Sequence, residues 1–391
     1  MRHLPLRRHP LLALARALPL LLAAVAAAPA RAQDGCIGNF IDTQRRYPSN
    51  EAPPSTQVQA LPEGVPLGPV RYRPRGTDTS RTLDTYLGSF CTTGFLVLHQ
   101  GQRVFERYLQ GTGPGTRLLS ASMSKTLLSL LVGIAVSEGR LSLQERVADV
   151  LPDFRDSAFA AATVEDLLRM SAGAELLNSY DPGAASDNQA INPILEPRTD
   201  MRAYLRQKTA LDPRGKVFNY NGAVSTVLGF VLSARTGMSN TAYLAQRLWE
   251  PLGAEAPGGW IKNRWGQEGV QGQFVATLRD YARVGLLLMN LGRVGDRQVV
   301  PQAWIEQMVA LRPDKPQPAQ APFYGLHVWI PQAAGGRSFA WGTNGQNIFV
   351  DPLAKVVIVH TGNSPAAEFN GNAHLFPLRD AITGALAVRA P

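Results

Sequence analysis

The chain is 391 residues long, 45% hydrophobic and 18% charged, and it carries a formal net charge of +9. This length suffices for two domains, or for one domain with a large insertion, and no fixed-period repeat indicates a solenoid or a propeller. The basic residues beyond the N-terminus are scattered, and no stretch interleaves them with aromatic residues. The composition therefore argues against a nucleic-acid partner.

The first 32 residues have the pattern of a secretory signal peptide. A basic start with three arginines precedes the apolar run "ALPLLLAAVAAA" at 17–28, and "ARA" at 30–32 is a typical cleavage site. The apolar run is too short for a membrane-spanning helix, which needs about 20 residues. We therefore expect cleavage after Ala32, a periplasmic or secreted protein, and no stable membrane anchor in the mature chain. The general secretory and the twin-arginine export routes both stay open.

Residues 33–85 are rich in proline, glycine, serine and threonine, which predicts an extended N-terminal segment on the surface and not a domain. The chain has two cysteines, Cys36 and Cys91, and an exported protein meets a compartment that permits oxidation. We expect one disulfide that joins the N-terminal segment to the first core strand. Two free buried thiols are the alternative.

Residues 86–391 predict one domain that combines a sheet with a largely helical lobe over about 140–255. The predicted elements are a hairpin of strands 93–100 and 103–109, a helix over about 122–138, a helix over 239–253 stopped by Pro251, a helix over 277–292, strands over 324–330, 338–342, 346–351 and 355–362, and a helix near 372–388. Short turns between adjacent strands imply antiparallel pairing. The predicted fold class is therefore α/β, with an antiparallel sheet flanked by helices and a helical insertion lobe.

The stretch "LLSASMSKTLL" places three serines and a lysine at the start of an apolar helix. Ser122 and Lys125 are three residues apart and share one helix face. The first turn of a helix favours negative charge on an attacked carbonyl, and a lysine near apolar walls can lose its proton and act as a base. The spacing therefore supplies a nucleophile and a base without a histidine. The alternative is a serine that only caps the helix, beside a solvated lysine.

Other chemistries fit the chain less well. A phosphate-binding loop requires glycine before its lysine, but Ser124 precedes Lys125. The Gly-x-Ser-x-Gly elbow of an ordinary α/β-hydrolase does not occur. No two histidines beyond the signal segment form a close pair, and neither cysteine has a partner at metal-ligand spacing. The sequence thus predicts neither a metal site nor a cofactor.

Three segments together resemble the serine β-lactamase-like family, which includes class C β-lactamases, DD-peptidases, family VIII carboxylesterases and 6-aminohexanoate-dimer hydrolases. They are "LLSASMSK", similar to the Ser-x-x-Lys of the family's central helix, "GKVFNYNGAVSTVLG" (215–229), similar to the segment with the catalytic tyrosine, and "FAWGTNGQNIFVDP" (339–352), similar to the strand that carries Lys-Thr-Gly. The resemblance covers about residues 90–385, in the family's order, and it implies a β-lactamase/transpeptidase-like fold.

The resemblance implies catalysis through an acyl-enzyme intermediate. Ser122 would attack a carbonyl while Lys125, with Tyr220, takes its proton. The oxyanion hole would use the N–H of Ser122 and that of Asn344. Water would then resolve the ester.

Two departures from the family pattern bear on the substrate. The usual Tyr-x-Asn reads Tyr-Asn-Gly here, and Lys-Thr-Gly is replaced by Trp-Gly-Thr, which removes a cation that would bind a β-lactam carboxylate. A Trp-Gly strand resembles the esterase branch, whereas "YN" followed by "AWGTNGQ" resembles the 6-aminohexanoate-dimer hydrolase branch, which has a further tyrosine in the loop after "LLRMSAG". The expected substrate-binding residues are Tyr180, Asn221, Trp341, Gly342 and Thr343.

These observations predict a secreted serine hydrolase that cleaves small esters or linear amides, with a small molecule as its partner. A β-lactamase or DD-peptidase-type enzyme is the alternative within the family. A non-catalytic relative that binds peptidoglycan fragments or another envelope protein is the alternative from another class.

Overall fold

The computed structural model describes residues 36, 38–179, 184–331, 335–365 and 372–387. They belong to one compact unit, residues 32–391. The expected signal peptide and the expected substrate contact Tyr180 lie outside the described residues. Within the described residues, no helix combines the length and the apolar character needed to span a membrane.

An antiparallel sheet of seven strands forms the centre of the domain. Its strands, in spatial order, are Phe323–Tyr324, Trp329–Ile330, Ser338–Trp341, Asn347–Asp351, Val356–Gly362, Thr92–His99 and Gln102–Tyr108. The predicted N-terminal hairpin is confirmed, and its first strand pairs with Val356–Gly362. The two ends of the domain therefore share one sheet, as expected.

Alternating residues of each strand pack on opposite faces of this sheet, and both faces are covered by helices. Val356 and Ile358 face the helices Leu83–Ser89 and Asn372–Ala387, whereas Val357 faces the larger core on the other side. That core includes the helices Ser124–Ser137 and Leu278–Met289. The expected fold class, an antiparallel sheet flanked by helices, is thereby confirmed.

Short helices and loops make up most of the chain between the central helix and residue 255. The helices described there are Val147–Val150, a 3₁₀ turn Pro152–Phe154, Val164–Leu168, Asp187–Ala190, Met201–Arg206, Gly222–Thr236, Asn240–Leu244, a π-helical turn Ala245–Trp249, and Glu250–Leu252. Thr163 and Asp166 form a capping box at the start of Val164–Leu168. The helix expected over 239–253 does not stop at Pro251: this proline lies at the start of the segment Glu250–Leu252, where a missing N–H costs little, and the helix ends before the left-handed Gly253.

The expected strand over 324–330 is two short strands, Phe323–Tyr324 and Trp329–Ile330, which pair with each other. His327 lies between them with a φ of 57°, a left-handed backbone that turns the chain back on itself. The remaining helix is Gln302–Val309, and two-residue strand pairs join Arg71–Tyr72 to Arg81–Thr82 and Arg293–Val294 to Arg297–Gln298.

A second, three-stranded sheet consists of Leu118–Leu119, Phe274–Ala276 and Gly259–Trp260, with Phe274–Ala276 in the middle. Residues 38–70 of the N-terminal segment run along the edges of both sheets. Ile41 bridges to Leu118, Asn50 donates a backbone hydrogen bond to the Trp260 carbonyl (3.0 Å), and Glu63 bridges to Arg103 of the large sheet. Its two helical turns, Gly38–Phe40 and Thr43–Arg45, are short 3₁₀ segments.

The structure joins Cys36 to Cys91 in a disulfide with a Cα–Cα distance of 5.7 Å. Cys91 immediately precedes the strand Thr92–His99. The disulfide therefore attaches the beginning of the N-terminal segment to the first strand of the large sheet.

Candidate active site

Ser122 lies in a 3₁₀ turn, Ala121–Met123, directly before the central helix. We call this segment the Ser122 turn. Ala121 has a φ of 43°, which is unusual for a residue with a side chain and indicates local backbone strain. The N–H of Ser120 donates to the Phe274 carbonyl at 2.8 Å. This hydrogen bond to the second sheet helps to keep the backbone of the turn in place.

The three serines of the motif have different surroundings. Ser120 and Ser124 are fully buried. The hydroxyl of Ser120 donates to the neighbouring Ala121 carbonyl (2.8 Å), and that of Ser124 donates to the Val270 carbonyl (2.5 Å). Ser122 alone of the three is partly exposed. The structure therefore assigns two serines to the scaffold and leaves Ser122 as the candidate nucleophile.

Lys125 is almost fully buried and lies within hydrogen-bond distance of Ser122. Its Nζ lies 2.9 Å from Ser122 Oγ and donates to the Gln271 carbonyl at 2.6 Å. Only 3% of the residue is exposed. Burial disfavours the charged amine and lowers the pKa of Lys125 to about 7. A substantial fraction of the amine is thus neutral near pH 7 and can accept the serine proton.

Tyr220 lies close to Lys125, in the residues that precede the helix Gly222–Thr236. The Lys125 Nζ is 5.2 Å from the centre of its ring. The ring also packs against Trp329 (5.2 Å between ring centres) and Tyr324 (5.6 Å). Ser122 and Lys125, which share one helix start, and Tyr220 are therefore brought together from two separate parts of the chain.

Asn221, expected to contact the substrate, has another role in the structure. It is the N-cap of the helix Gly222–Thr236, and its Oδ1 accepts from the Ala223 N–H at 2.9 Å. Its Nδ2 donates to the Leu177 carbonyl at 3.2 Å. The side chain is 0% exposed, with both polar ends satisfied. The expectation was wrong for Asn221, which fixes the backbone beside Tyr220 and is not available to a substrate.

The strand Ser338–Trp341 brings its C-terminal end against the Ser122 turn. A Cβ on Gly342 would lie 2.7 Å from the Ser120 carbonyl oxygen and 2.8 Å from the Ala121 Cβ. Only glycine allows this approach, so Gly342 acts through its lack of a side chain. Thr343, the next residue, is partly exposed.

Trp341 is partly exposed, and the ring of Trp329 lies between it and Tyr220. Its ring packs against Trp329 and Phe376, each at 5.7 Å between ring centres, and Trp329 in turn contacts Tyr220. Trp341 shares the sheet face of Phe339, opposite to the face of Ala340. Trp329, and not Trp341, is therefore the tryptophan in direct ring contact with Tyr220.

Asn344 occupies a second 3₁₀ turn, Thr343–Gly345, which we call the Asn344 turn. Its φ of 62° is left-handed, as at Ala121 in the Ser122 turn. Its side-chain amide donates to the Ser364 carbonyl (2.8 Å), and its own carbonyl accepts from the Ser364 N–H (3.2 Å). The two turns pack together, so Asn344 lies beside the Ser122 turn.

Sequence reasoning missed three residues that complete the site. Gln271 holds Lys125 through a backbone carbonyl, and a carbonyl leaves no residue-type signal. Tyr324 and Trp329 form the aromatic wall behind Tyr220, and the aromatic content of "YGLHVWI" was the available signal. In the part of the chain that the structure describes, no group of three or more His, Cys, Asp or Glu residues is arranged to hold a metal ion.

Fold and site together define a class of protein. A family model described as Beta-lactamase matches residues 82–376. The chain belongs to this β-lactamase-like serine hydrolase family, as its motifs predicted.

Within the family, the chain is 26% identical over 354 residues to a 6-aminohexanoate-dimer hydrolase of Paenarthrobacter ureafaciens, with 84% of each chain covered. Among solved structures, it superposes on a candidate 6-aminohexanoate-dimer hydrolase from Bacillus anthracis with a TM-score of 0.81 at 22% identity, covering 89% of this chain and 92% of the other. A penicillin-binding protein from Bacillus halodurans gives a TM-score of 0.60 at 17% identity, covering 77% and 99%. The last two likenesses concern the fold alone.

Proposed function

We propose that the protein is a secreted serine hydrolase that cleaves small esters or linear amides through an acyl-enzyme on Ser122. One observation carries the proposal. The buried Lys125 amine lies 2.9 Å from the partly exposed Ser122 hydroxyl, and burial lowers the pKa of Lys125 to about 7. Export is supported by the N-terminal sequence pattern and by a disulfide between the two cysteines.

The reaction has two halves. Ser122 Oγ bonds to the substrate carbonyl carbon as its proton passes to the neutral Lys125 Nζ, and the N–H groups of Ser122 and Asn344 stabilise the oxyanion. The carbonyl re-forms, the bond to the leaving group breaks, and the leaving amine or alkoxide receives the proton from Lys125, directly or through Tyr220. Water then attacks the ester carbonyl and gives a proton to the neutral Lys125. The bond to Ser122 Oγ breaks, Oγ takes that proton back, and the carboxylic acid is released.

Two observations support an ester or linear amide over a β-lactam. Trp341 stands where penicillin-binding relatives carry the lysine of Lys-Thr-Gly, so this position offers no cation to a carboxylate. The Paenarthrobacter relative is named for the hydrolysis of a 6-aminohexanoate dimer, and the chain covers 84% of it. Hydrolysis of p-nitrophenyl esters and of a linear amide dimer, compared with nitrocefin, would distinguish the two substrate classes.

The first test is intact-protein mass after brief exposure to p-nitrophenyl butyrate and an acid quench. Wild type should gain a butyryl group, and Ser122→Ala should gain none and lose about 10³-fold or more in kcat/KM. Ser124→Ala is the matched control, because Ser124 lies two residues away but bonds only within the core. An adduct on Ser122→Ala, or equal losses in both variants, would contradict the proposal. Failure of a fluorophosphonate to label wild type would favour the non-catalytic binder.

A further inference from the structure

His360 is a buried histidine that the proposed mechanism does not use. It lies on the strand Val356–Gly362, opposite Asn347 and Phe95 in the two neighbouring strands, and it is 0% exposed. Its ring packs edge-on against Tyr86 and Phe95, beneath the sheet. A polar ring at such a position requires hydrogen-bond partners at both nitrogens.

The two ring nitrogens of His360 have distinct partners. Nδ1 is 2.5 Å from the Gly345 carbonyl oxygen. Because a carbonyl only accepts, Nδ1 carries the hydrogen, and Nε2 of the neutral ring is then the acceptor. Nε2 lies 3.1 Å from the Thr92 hydroxyl and 3.5 Å from the Tyr86 hydroxyl, both of which can donate. Burial lowers the pKa of His360 to about 4, so the ring stays neutral and this arrangement holds at neutral pH.

The accepting carbonyl belongs to the Asn344 turn. Gly345 has a φ of 104°, and a Cβ there would lie 3.2 Å from both His360 Cε1 and the Gly362 Cα. Glycine is therefore required for the carbonyl to meet the ring. A second clamp holds the same turn, because the Gln346 amide donates to the Gly362 carbonyl (2.7 Å) and accepts from the Gly362 N–H (3.3 Å).

We propose that His360 is a positioning residue, whose bond to the Gly345 carbonyl fixes the peptide groups of the Asn344 turn at the oxyanion side of the site. The inference rests on the proposed function, in which the Asn344 N–H stabilises the oxyanion. An oxyanion donor must be set before the charge develops, and a displacement of about 1 Å can cost on the order of 10²-fold in rate. A histidine ring anchored to Thr92 in the neighbouring strand supplies that rigidity.

Two amide variants test the roles of the two ring nitrogens of His360 separately. The side-chain amide of His360→Asn stands near the position of Nδ1 and can still donate to Gly345. That of His360→Gln reaches toward the position of Nε2, near Thr92. We expect His360→Gln to lower kcat/KM for p-nitrophenyl butyrate by about 10- to 100-fold, and His360→Asn to stay within about threefold of wild type.

Binding of phenylboronic acid provides the readout that a merely structural role would not change. Ser122 Oγ adds to the trigonal boron as its proton passes to Lys125, and the tetrahedral adduct places a boron hydroxyl at the oxyanion position. The inhibition constant should rise in His360→Gln by the same factor by which kcat/KM falls. Val357→Ala, a buried residue of the same strand away from the turn, is the control that lowers the melting temperature and leaves both constants unchanged.

Three results would overturn the inference while the proposed function stands: equal activity in both His360 variants, full boronate affinity in an impaired His360→Gln, or an equal loss in Val357→Ala at matched melting temperature. Absence of a butyryl adduct on wild-type Ser122 would instead refute the proposed function, and the inference with it. These outcomes can be told apart because acylation of wild type is measured first.

Discussion

The Ser122 turn and the Asn344 turn pack against each other at the candidate site and have similar backbone conformations. Each is a three-residue 3₁₀ turn with a non-glycine residue in the left-handed region, Ala121 in one and Asn344 in the other. Each is held by hydrogen bonds to a strand outside itself, to Phe274 for the first and to His360 for the second. They differ in what they offer a substrate. The first presents side chains, Ser122 with Lys125 behind it, whereas the second is expected to act through its backbone.

This difference explains which half of the site the sequence reveals. Side-chain chemistry needs particular residue types at fixed spacing, so Ser-x-x-Lys before an apolar helix is visible as a pattern. Backbone chemistry needs only a chain held in the right place, and its sequence trace is limited to residues such as Gly342 that permit close approach. The sequence therefore predicts the residues that act through their side chains, but not those that act through their backbone.

The largest effect is expected for Lys125→Met, which tests the part of the site that acts through side chains, Ser122 and Lys125. The variant removes the base and keeps the apolar stem, so kcat/KM should fall by about 10³-fold or more. Lys262→Met is the matched control, since Lys262 donates to the Asn50 side chain and not to Ser122. Steady-state hydrolysis of p-nitrophenyl butyrate is the measurement. Activity within tenfold of wild type would show that Lys125 is not the base.

The activity should also depend on pH through the protonation of Lys125. Burial lowers the pKa of Lys125 from 10.5 to about 7, and only the neutral amine accepts the serine proton. The rate constant kcat/KM should therefore approach a tenfold fall per pH unit well below 7, fall about 50-fold between pH 7 and 5, and level off above 7. A pH profile on a substrate without titratable groups measures this. An acid limb centred below pH 5 would indicate a carboxylate base.

The contact between the two turns is tested by Gly342→Ala. The new methyl group would press on the Ser120 carbonyl and the Ala121 side chain and separate the turns. We expect kcat/KM to fall by roughly 10- to 100-fold. Gly384→Ala is the control, because a Cβ there meets nothing within 4 Å. Equal activity in the two variants would mean that the site tolerates a shift between its halves.

The smallest expected effect concerns Asn221. Loss of the N-cap in Asn221→Ala should lower the free energy of unfolding by about 1 kcal/mol and change kcat/KM only slightly. Asn221→Ser, which keeps a capping acceptor, should recover most of the stability. Chemical denaturation and kinetics together decide the matter. A large loss of activity with unchanged stability would restore Asn221 as a substrate contact.

The fold was largely predictable from the sequence, and the predictions that were wrong have local causes. Strand alternation and short turns indicate the antiparallel sheet, and the hairpin from Thr92 to Tyr108 has clear strand signals. The expected strand over 324–330 failed because nothing in its composition announces the left-handed backbone at His327. Asn221 was misassigned by its place beside Tyr220, although an asparagine directly before a helix is a capping signal in its own right.

Site residues that lie close together in the sequence were easier to predict than residues that meet only through tertiary packing. Ser122 and Lys125 sit in one helix start, so their 2.9 Å contact follows from spacing. Tyr220 was located only through the family resemblance, since its approach to Lys125 depends on tertiary packing. Trp329 and the Gln271 carbonyl join the site from strands and loops far along the chain, and no local pattern connects them to Ser122.

The N-terminal segment along the sheet edges has a consequence for how the protein matures. An unpaired strand edge is a template for pairing with other chains, and residues 38–70 cover both edges of the small sheet and one edge of the large sheet. The segment is synthesised first, but its partner Trp260 follows only after most of the domain. The segment therefore lacks its partner strands until late in synthesis, and the unfinished chain is most prone to aggregate in that interval.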